Sequence, residues 1–143
     1  MSETTKKRPE FRNINAFADL PSYRWPLAAL VSGMHRISGL LLFILLPFIV
    51  WMLDTSVTSE ISFARFTSIF SEGAGFLPGW FIKLVTLGLI WAYLHHFIAG
   101  IRHVYLDISH QTTKDRGRRT AAVTMILAFG LTAILGAKLF GLY

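Results

Sequence analysis

The chain has 143 residues, of which 53% are hydrophobic and only 15% charged, and its mean hydropathy is +0.51. Soluble globular domains carry roughly a quarter charged residues, so this composition indicates a membrane protein. The absence of cysteine excludes disulfides, thiol catalysis and iron–sulfur ligation by this chain. The net charge of +6 does not indicate nucleic-acid binding, because the basic residues flank apolar runs as they do at the cytoplasmic ends of membrane helices.

Residues 1–24 are predicted to form a polar cytoplasmic arm, and residues 25–143 a single anchor domain. The arm is not a signal peptide, because it has no apolar core before a small-residue cleavage site. Tyr23 and Trp25 are placed like aromatic anchors at a membrane interface. The cations of the arm are Lys6, Lys7, Arg8, Arg12 and Arg24.

The first membrane span is predicted at about residues 27–53. Its second part is almost wholly apolar, and Pro47 should kink it. Its first turns are polar, because Ser32, His35 and Arg36 lie there. Their spacings of three and four residues place all three side chains on one face of a helix.

Two further spans are predicted, at about residues 80–106 and 120–139. Between the first two spans, residues 54–79 alternate apolar and polar side chains, which indicates a short helix lying on the membrane surface. The arm holds five Lys or Arg residues and the 107–119 loop holds four, whereas the 54–79 loop holds only Arg65. The positive-inside rule therefore predicts a cytoplasmic N-terminus. The predicted fold is an all-α membrane protein with three transmembrane helices.

The second span carries the chemically distinctive stretch of the chain, residues 94–107. His96, Gly100 and His103 share a helix face there. At about 1.5 Å rise per residue, His96 lies roughly 16 Å from the cytoplasmic end of the span and His103 roughly 6 Å. Because the first two spans run antiparallel, polar residues of both should meet in one layer near the cytoplasmic side: Ser32, His35, Arg36, Arg102, His103 and Asp107.

A neutral imidazole at the depth of His96 is able to ligate haem iron, and Gly100 leaves room for a flat macrocycle. The anionic propionates would then face the basic layer, where His35, Arg36 and His103 lie. The third span has no histidine, and the first has no ligand at this depth. A second axial ligand would therefore come from another polypeptide. The alternative is that His96 only forms a hydrogen bond to a neighbouring helix.

Two motifs resemble those of the cytochrome b556 membrane-anchor family of succinate dehydrogenase, respiratory complex II. The first is Ser32-Gly33-Met34-His35-Arg36-Ile37-Ser38-Gly39. The second is His96-Phe97-Ile98-Ala99-Gly100-Ile101-Arg102-His103, followed by Asp107. The resemblance covers nearly the whole chain, including the number and length of the spans.

The resemblance implies that His96 is an axial ligand of haem b, and that His35, Arg36 and His103 lie near its propionates. It implies that Ser32 and Arg36 belong to a ubiquinone site, where Gly33 replaces a larger apolar residue of some family members. The implied partners are a flavoprotein, an iron–sulfur protein and a second small anchor that shares the haem. This chain would then be a subunit without catalysis of its own, in a bacterial inner membrane.

The sequence is also compatible with three alternatives. The chain could be the anchor of a fumarate reductase, because sequence alone does not fix the direction of the reaction. It could be another quinone-linked b-type cytochrome. It could also be a structural anchor that binds no haem. The neighbouring His95 competes with His96 as the ligand, although the spacing to Gly100 and His103 favours His96.

Overall fold

A computed structural model describes residues 13–110 and 113–143. The first twelve residues, with Lys6, Lys7, Arg8 and Arg12, lie outside the described residues. Three helices of the described part are long and apolar enough to cross a membrane, as predicted. The helices in chain order are α1 (Ala16–Ser22), α2 (Leu27–Ile44), α3 (Leu46–Val57), α4 (Glu60–Ser68), α5 (Gly79–Ser109) and α6 (Lys114–Leu139).

The first predicted span is divided into α2 and α3 by a break at Leu45. Pro47 lacks the N–H that would bond to the carbonyl of Phe43 one turn earlier, so the regular ladder is interrupted there. The hydrogen bonds on either side persist, from Leu45 N to Leu41 O at 2.9 Å and from Ile49 N to Leu45 O at 3.0 Å. The helix is interrupted close to Pro47, where a kink was predicted, and α3 continues to Val57 rather than ending near Leu53.

A short helix, α4, lies between the first two spans, where one was predicted. Ser59 caps it by accepting a hydrogen bond from Ser62 N, and the Ser62 hydroxyl accepts one from Ser59 N. This reciprocal capping satisfies N–H groups that the first turn leaves without helical partners. Ile61 is 85% exposed on this helix, and the position of the helix on a membrane surface stays a prediction.

The two later spans are longer than their apolar runs. Helix α5 ends at Ser109 rather than Leu106, and α6 begins at Lys114 rather than Thr120. The start of α6 follows from Thr113, whose hydroxyl accepts from Arg116 N, and from Asp115 in the first turn. Apolar patterning locates the membrane-embedded part of a helix and misses polar turns that extend beyond it.

The three spans meet at a small buried core near the N-terminal end of α2. Val31, Ala99 and Ala121 come from α2, α5 and α6, and each is fully buried. Alanines allow close approach of the helix backbones, which is how membrane helices gain packing energy. Met125 packs against this core. The core fixes α2 against α5, and the residues of interest lie along that contact.

Candidate functional site

The imidazole of His96 points from α5 towards the backbone of α2. Its Nδ1 lies 3.1 Å from the carbonyl oxygen of His35 and 3.4 Å from the hydroxyl oxygen of Ser38. The Ser38 hydroxyl itself donates to the His35 carbonyl at 2.9 Å. Because the hydroxyl proton of Ser38 is used in that bond, the Ser38 and His35 oxygens both act as acceptors towards Nδ1 of His96. Nδ1 is therefore the ring nitrogen that carries hydrogen. The lone pair is thereby left on Nε2, which has no hydrogen-bond partner among the described residues.

Three imidazoles form a continuous row along the contact between α2 and α5. The His35 ring stacks on the His96 ring, with centroids 4.2 Å apart and planes inclined by 10°. The His103 ring lies 5.1 Å from the His35 ring, inclined by 51°. The structure therefore brings together three of the residues that the sequence singled out, with His35 between the two histidines of α5.

An open cavity of about 380 Å³ adjoins this row on the outer side of α5. His96 and Gly100 line it, together with Phe97, Ile101 and Val104. A Cβ added to Gly100 would meet only Nε2 of His35, at 3.8 Å, so the backbone is accessible there. A flat apolar molecule is able to lie against this part of α5 because no side chain at Gly100 stands in its way.

The described residues hold no group of three or more side chains arranged to enclose a bare metal ion. A haem iron does not need such a group, because its macrocycle supplies the equatorial ligands and the protein supplies axial ones. His96, with a fixed tautomer and a free Nε2 beside an open cavity, fits an axial role. Metal-ligating histidines commonly donate their second ring N–H to a backbone carbonyl in the same way.

Ser32 and Arg36 lie one turn apart on α2, nearer its N-terminal end. Ser32 is half-buried and Arg36 is exposed, and neither side chain forms a hydrogen bond to a described residue. A shallow cavity of about 190 Å³ lies on the same helix and is lined by Trp25, Gly33 and Ile37 among others, but by neither Ser32 nor Arg36. A Cβ at Gly33 would meet nothing within 4 Å. Both polar groups therefore remain available to a ligand or to another subunit.

His95 has no access to either cavity, since it is fully buried inside the helix bundle. Its Nε2 lies 3.4 Å from the carbonyl oxygen of Val31, and its ring stacks on Trp91 with centroids 5.5 Å apart. These contacts are those of a packing residue that links α5 to α2. The geometry therefore favours His96 over His95 as a ligand, in agreement with the spacing.

Arg102 does not lie in the polar layer that the sequence predicted for it. It is only 7% exposed and points towards α6, where its Nε donates to the Thr120 hydroxyl at 3.1 Å and its Nη2 to the Gly117 carbonyl at 3.4 Å. Its neighbour His103 faces His35 instead. Successive helix residues point about 100° apart, so one of the pair meets α6 and the other α2.

Two contributors to the site were missed by reasoning from the sequence. Ser38 is fully buried against His96, and a Cβ on Gly39 would lie 2.8 Å from Cε1 of the His96 ring. Both belong to the first motif, but a serine followed by glycine in an apolar helix carries no signal that distinguishes a ligand support from ordinary helix packing. Only the rotation of α2 about its axis reveals which side chain of α5 they meet.

Comparison with known proteins identifies relatives along most of the chain. Residues 4–135 match the family described as succinate dehydrogenase/fumarate reductase transmembrane subunit. The succinate dehydrogenase cytochrome b556 subunit of Coxiella burnetii (strain RSA 493 / Nine Mile phase I) is 30% identical over 118 residues, covering 82% of this chain and 90% of that protein. The succinate dehydrogenase cytochrome b556 subunit of Paracoccus denitrificans is 35% identical over 102 residues, covering 71% and 73%.

These matches agree with the architecture of the described residues. Three apolar helices of spanning length are what a transmembrane subunit requires, and they make the chain a multi-pass membrane protein. The matched region contains α1 to α5 and most of α6, with both motifs. The chain belongs to the succinate dehydrogenase/fumarate reductase transmembrane subunit family.

Proposed function

We propose that this chain is a membrane anchor of succinate:ubiquinone oxidoreductase that binds haem b and contributes to the ubiquinone site. The observation that carries the proposal is the His96 imidazole, held by its Nδ1 against α2 with Nε2 unbonded beside an open cavity. The names of the relatives support it, since both are called cytochrome b556 subunits of succinate dehydrogenase. The chain would act only within the complex, because it has no flavin or iron–sulfur motif.

In this proposal His96 would hold the iron of haem b through a ring nitrogen. When bound, haem b supplies a centre that exchanges one electron at a time. The remaining ligand comes from a second small anchor subunit. The open cavity beside Gly100 would accommodate the flat apolar part of the group. His35, Arg36 and His103 would hold the anionic propionates.

Ser32 and Arg36 are proposed to bind ubiquinone at the end of α2 nearer the N-terminus. The serine hydroxyl donates a hydrogen bond to a quinone carbonyl oxygen, and the guanidinium stabilises negative charge that develops on that oxygen during reduction. Neither group is committed to a described residue, which is what binding a transient ligand requires. The open surface at Gly33 leaves space for the quinone ring or for a partner side chain that packs against it.

The proposed complex contains a flavoprotein subunit, an iron–sulfur subunit and the second anchor. The soluble subunits would deliver electrons from succinate at the side where Ser32 and Arg36 lie. By the positive-inside rule that side, and the N-terminus, would face the cytoplasm, and the complex would lie in a bacterial inner membrane. The family also includes fumarate reductase subunits, so an anchor of the reverse reaction is the second candidate.

The quinone assignment is tested with Ser32→Ala and Arg36→Leu in the assembled complex. Succinate-dependent reduction of a soluble dye reports the soluble subunits, and reduction of a short-chain ubiquinone reports the anchor site. We expect both variants to lose quinone reduction at least tenfold while dye reduction persists. Ser56→Ala and Arg65→Leu, in α3 and α4, are matched controls that should retain both activities. Quinone reduction at the parent rate in both site variants would refute the assignment.

The direction of the physiological reaction is tested by a different comparison. Rates of succinate oxidation by ubiquinone and of fumarate reduction by a low-potential menaquinol analogue are measured on the same preparation. A succinate dehydrogenase is expected to favour the first under matched conditions. A strong preference for fumarate reduction would support the second candidate and leave the haem assignment intact.

A further inference from the structure

Two residues of α2 form a cradle for the His96 ring. Gly39 lies directly beneath the ring edge, so that an added Cβ would be 2.8 Å from Cε1 and 3.1 Å from Nδ1. Real Cβ atoms essentially never approach a carbon this closely, so the ring would have to shift and its contacts with α2 would change. His35 covers one of its faces at 4.2 Å, and the His35 carbonyl holds Nδ1 at 3.1 Å.

Ser38 contributes to the same cradle through its hydroxyl group. It is fully buried, donates to the His35 carbonyl at 2.9 Å and presents its oxygen to Nδ1 of His96 at 3.4 Å. In a regular helix the His35 carbonyl also faces the N–H of residue 39, one turn later. The His35 carbonyl oxygen, which accepts the hydrogen bond from His96, is therefore held in place by other groups of α2.

On the basis of the proposed haem binding, we propose that Ser38 and Gly39 are positioning residues that fix the ring plane and tautomer of His96. Gly39 lets the imidazole approach the α2 backbone closely enough to donate from Nδ1. Ser38 orients the accepting carbonyl and offers a second acceptor. With Nδ1 bonded to α2, Nε2 is the ring nitrogen left to bind iron.

The hydrogen bond from Nδ1 of His96 should affect the midpoint potential of the haem as well as the orientation of the ring. A ligand whose second nitrogen donates a hydrogen bond is more basic than a free imidazole, and it binds ferric iron better relative to ferrous iron. Weakening this donation should raise the midpoint potential of the haem. A tenfold change in the ferric-to-ferrous affinity ratio corresponds to about 59 mV for a one-electron couple.

The experiment compares Gly39→Ala and Ser38→Ala with the parent in the purified complex. Gly130→Ala is the matched control, because a Cβ there meets nothing within 4 Å. The readouts are haem per complex, the low-spin ferric electron paramagnetic resonance signal and the midpoint potential, with subunit content checked on a gel. Loss of a supporting group around a metal ligand typically lowers affinity about 10–100-fold, which is the loss of haem affinity expected for Gly39→Ala.

Ser38→Ala adds no bulk and is expected to retain haem with a raised potential and a shifted resonance signal. Parent-like haem content, resonance and potential in Gly39→Ala would overturn the role of Gly39. The same result in Ser38→Ala would overturn that of Ser38, including where Gly39→Ala fails to assemble. An assembled parent complex without haem would instead refute the proposed haem binding itself, so the two failures are distinguishable.

Discussion

The hydrogen bond from Arg102 to Thr120 should couple α5 to α6 energetically. Thr120→Val removes the acceptor at nearly constant volume and leaves a guanidinium N–H buried without its partner. Measured hydrogen bonds between membrane helices average about 0.6 kcal/mol and reach about 1.7 kcal/mol. This bond is charge-assisted and 3.1 Å long, whereas the Gly117 contact at 3.4 Å is weak. We therefore expect a coupling energy of about 1–1.5 kcal/mol, in the upper part of that range.

The assay is a double-mutant cycle of Arg102→Met and Thr120→Val, with unfolding driven by SDS in mixed micelles and followed by circular dichroism. Thr120→Val should lower the free energy of unfolding more in the parent than in the Arg102→Met background. Only in the parent does it leave a buried charge unpaired. Additive effects, with a coupling below about 0.3 kcal/mol, would refute the contribution of this bond.

Further predictions concern packing and the loop that leads into α5. Ala121→Leu overfills the site where α6 meets Val31, and it should cost about 1–3 kcal/mol in the same unfolding assay, with the exposed Ala133→Leu as its control. Gly79→Ala would place a Cβ 2.7 Å from the Phe70 carbonyl oxygen, and we expect about 2–3 kcal/mol of destabilisation. Gly88→Ala has open space and should be neutral or stabilising by up to about 1 kcal/mol, so equal effects at the two glycines would contradict the account of Gly79.

The sequence predicted the architecture well because a membrane imposes strong constraints on composition. Each span needs about 20 mainly apolar residues, and the three runs that satisfy this became α2 with α3, α5 and α6. The ends of the helices were less accessible to prediction. Capping by Thr113 and Ser59 extends or begins helices in polar sequence, where hydropathy gives no signal.

The candidate site was predictable to the extent that it depends on spacing along one helix. His96, Gly100 and His103 share a face by number alone, and the contact of His35 with His103 follows from antiparallel neighbours, whereas the stacking of His35 on His96 was not predicted. The turn of Arg102 towards α6 and the cradle at Gly39 were not predictable, because both depend on how α2, α5 and α6 are rotated against each other. Those rotations are set by small residues such as Ala99, which sequence periodicity does not distinguish from other apolar positions.

The central claim is that His96 is the haem ligand supplied by this chain, and a reduced-minus-oxidised optical spectrum of the purified complex tests it most directly. The parent should show the α-band of a b-type cytochrome. His96→Leu should abolish or shift that band, whereas His95→Leu should leave its position unchanged, because His95 reaches neither cavity. A parent-like band in His96→Leu, together with a lost or shifted band in His95→Leu, would transfer the ligand role to His95. No band in the assembled parent complex would contradict the claim outright.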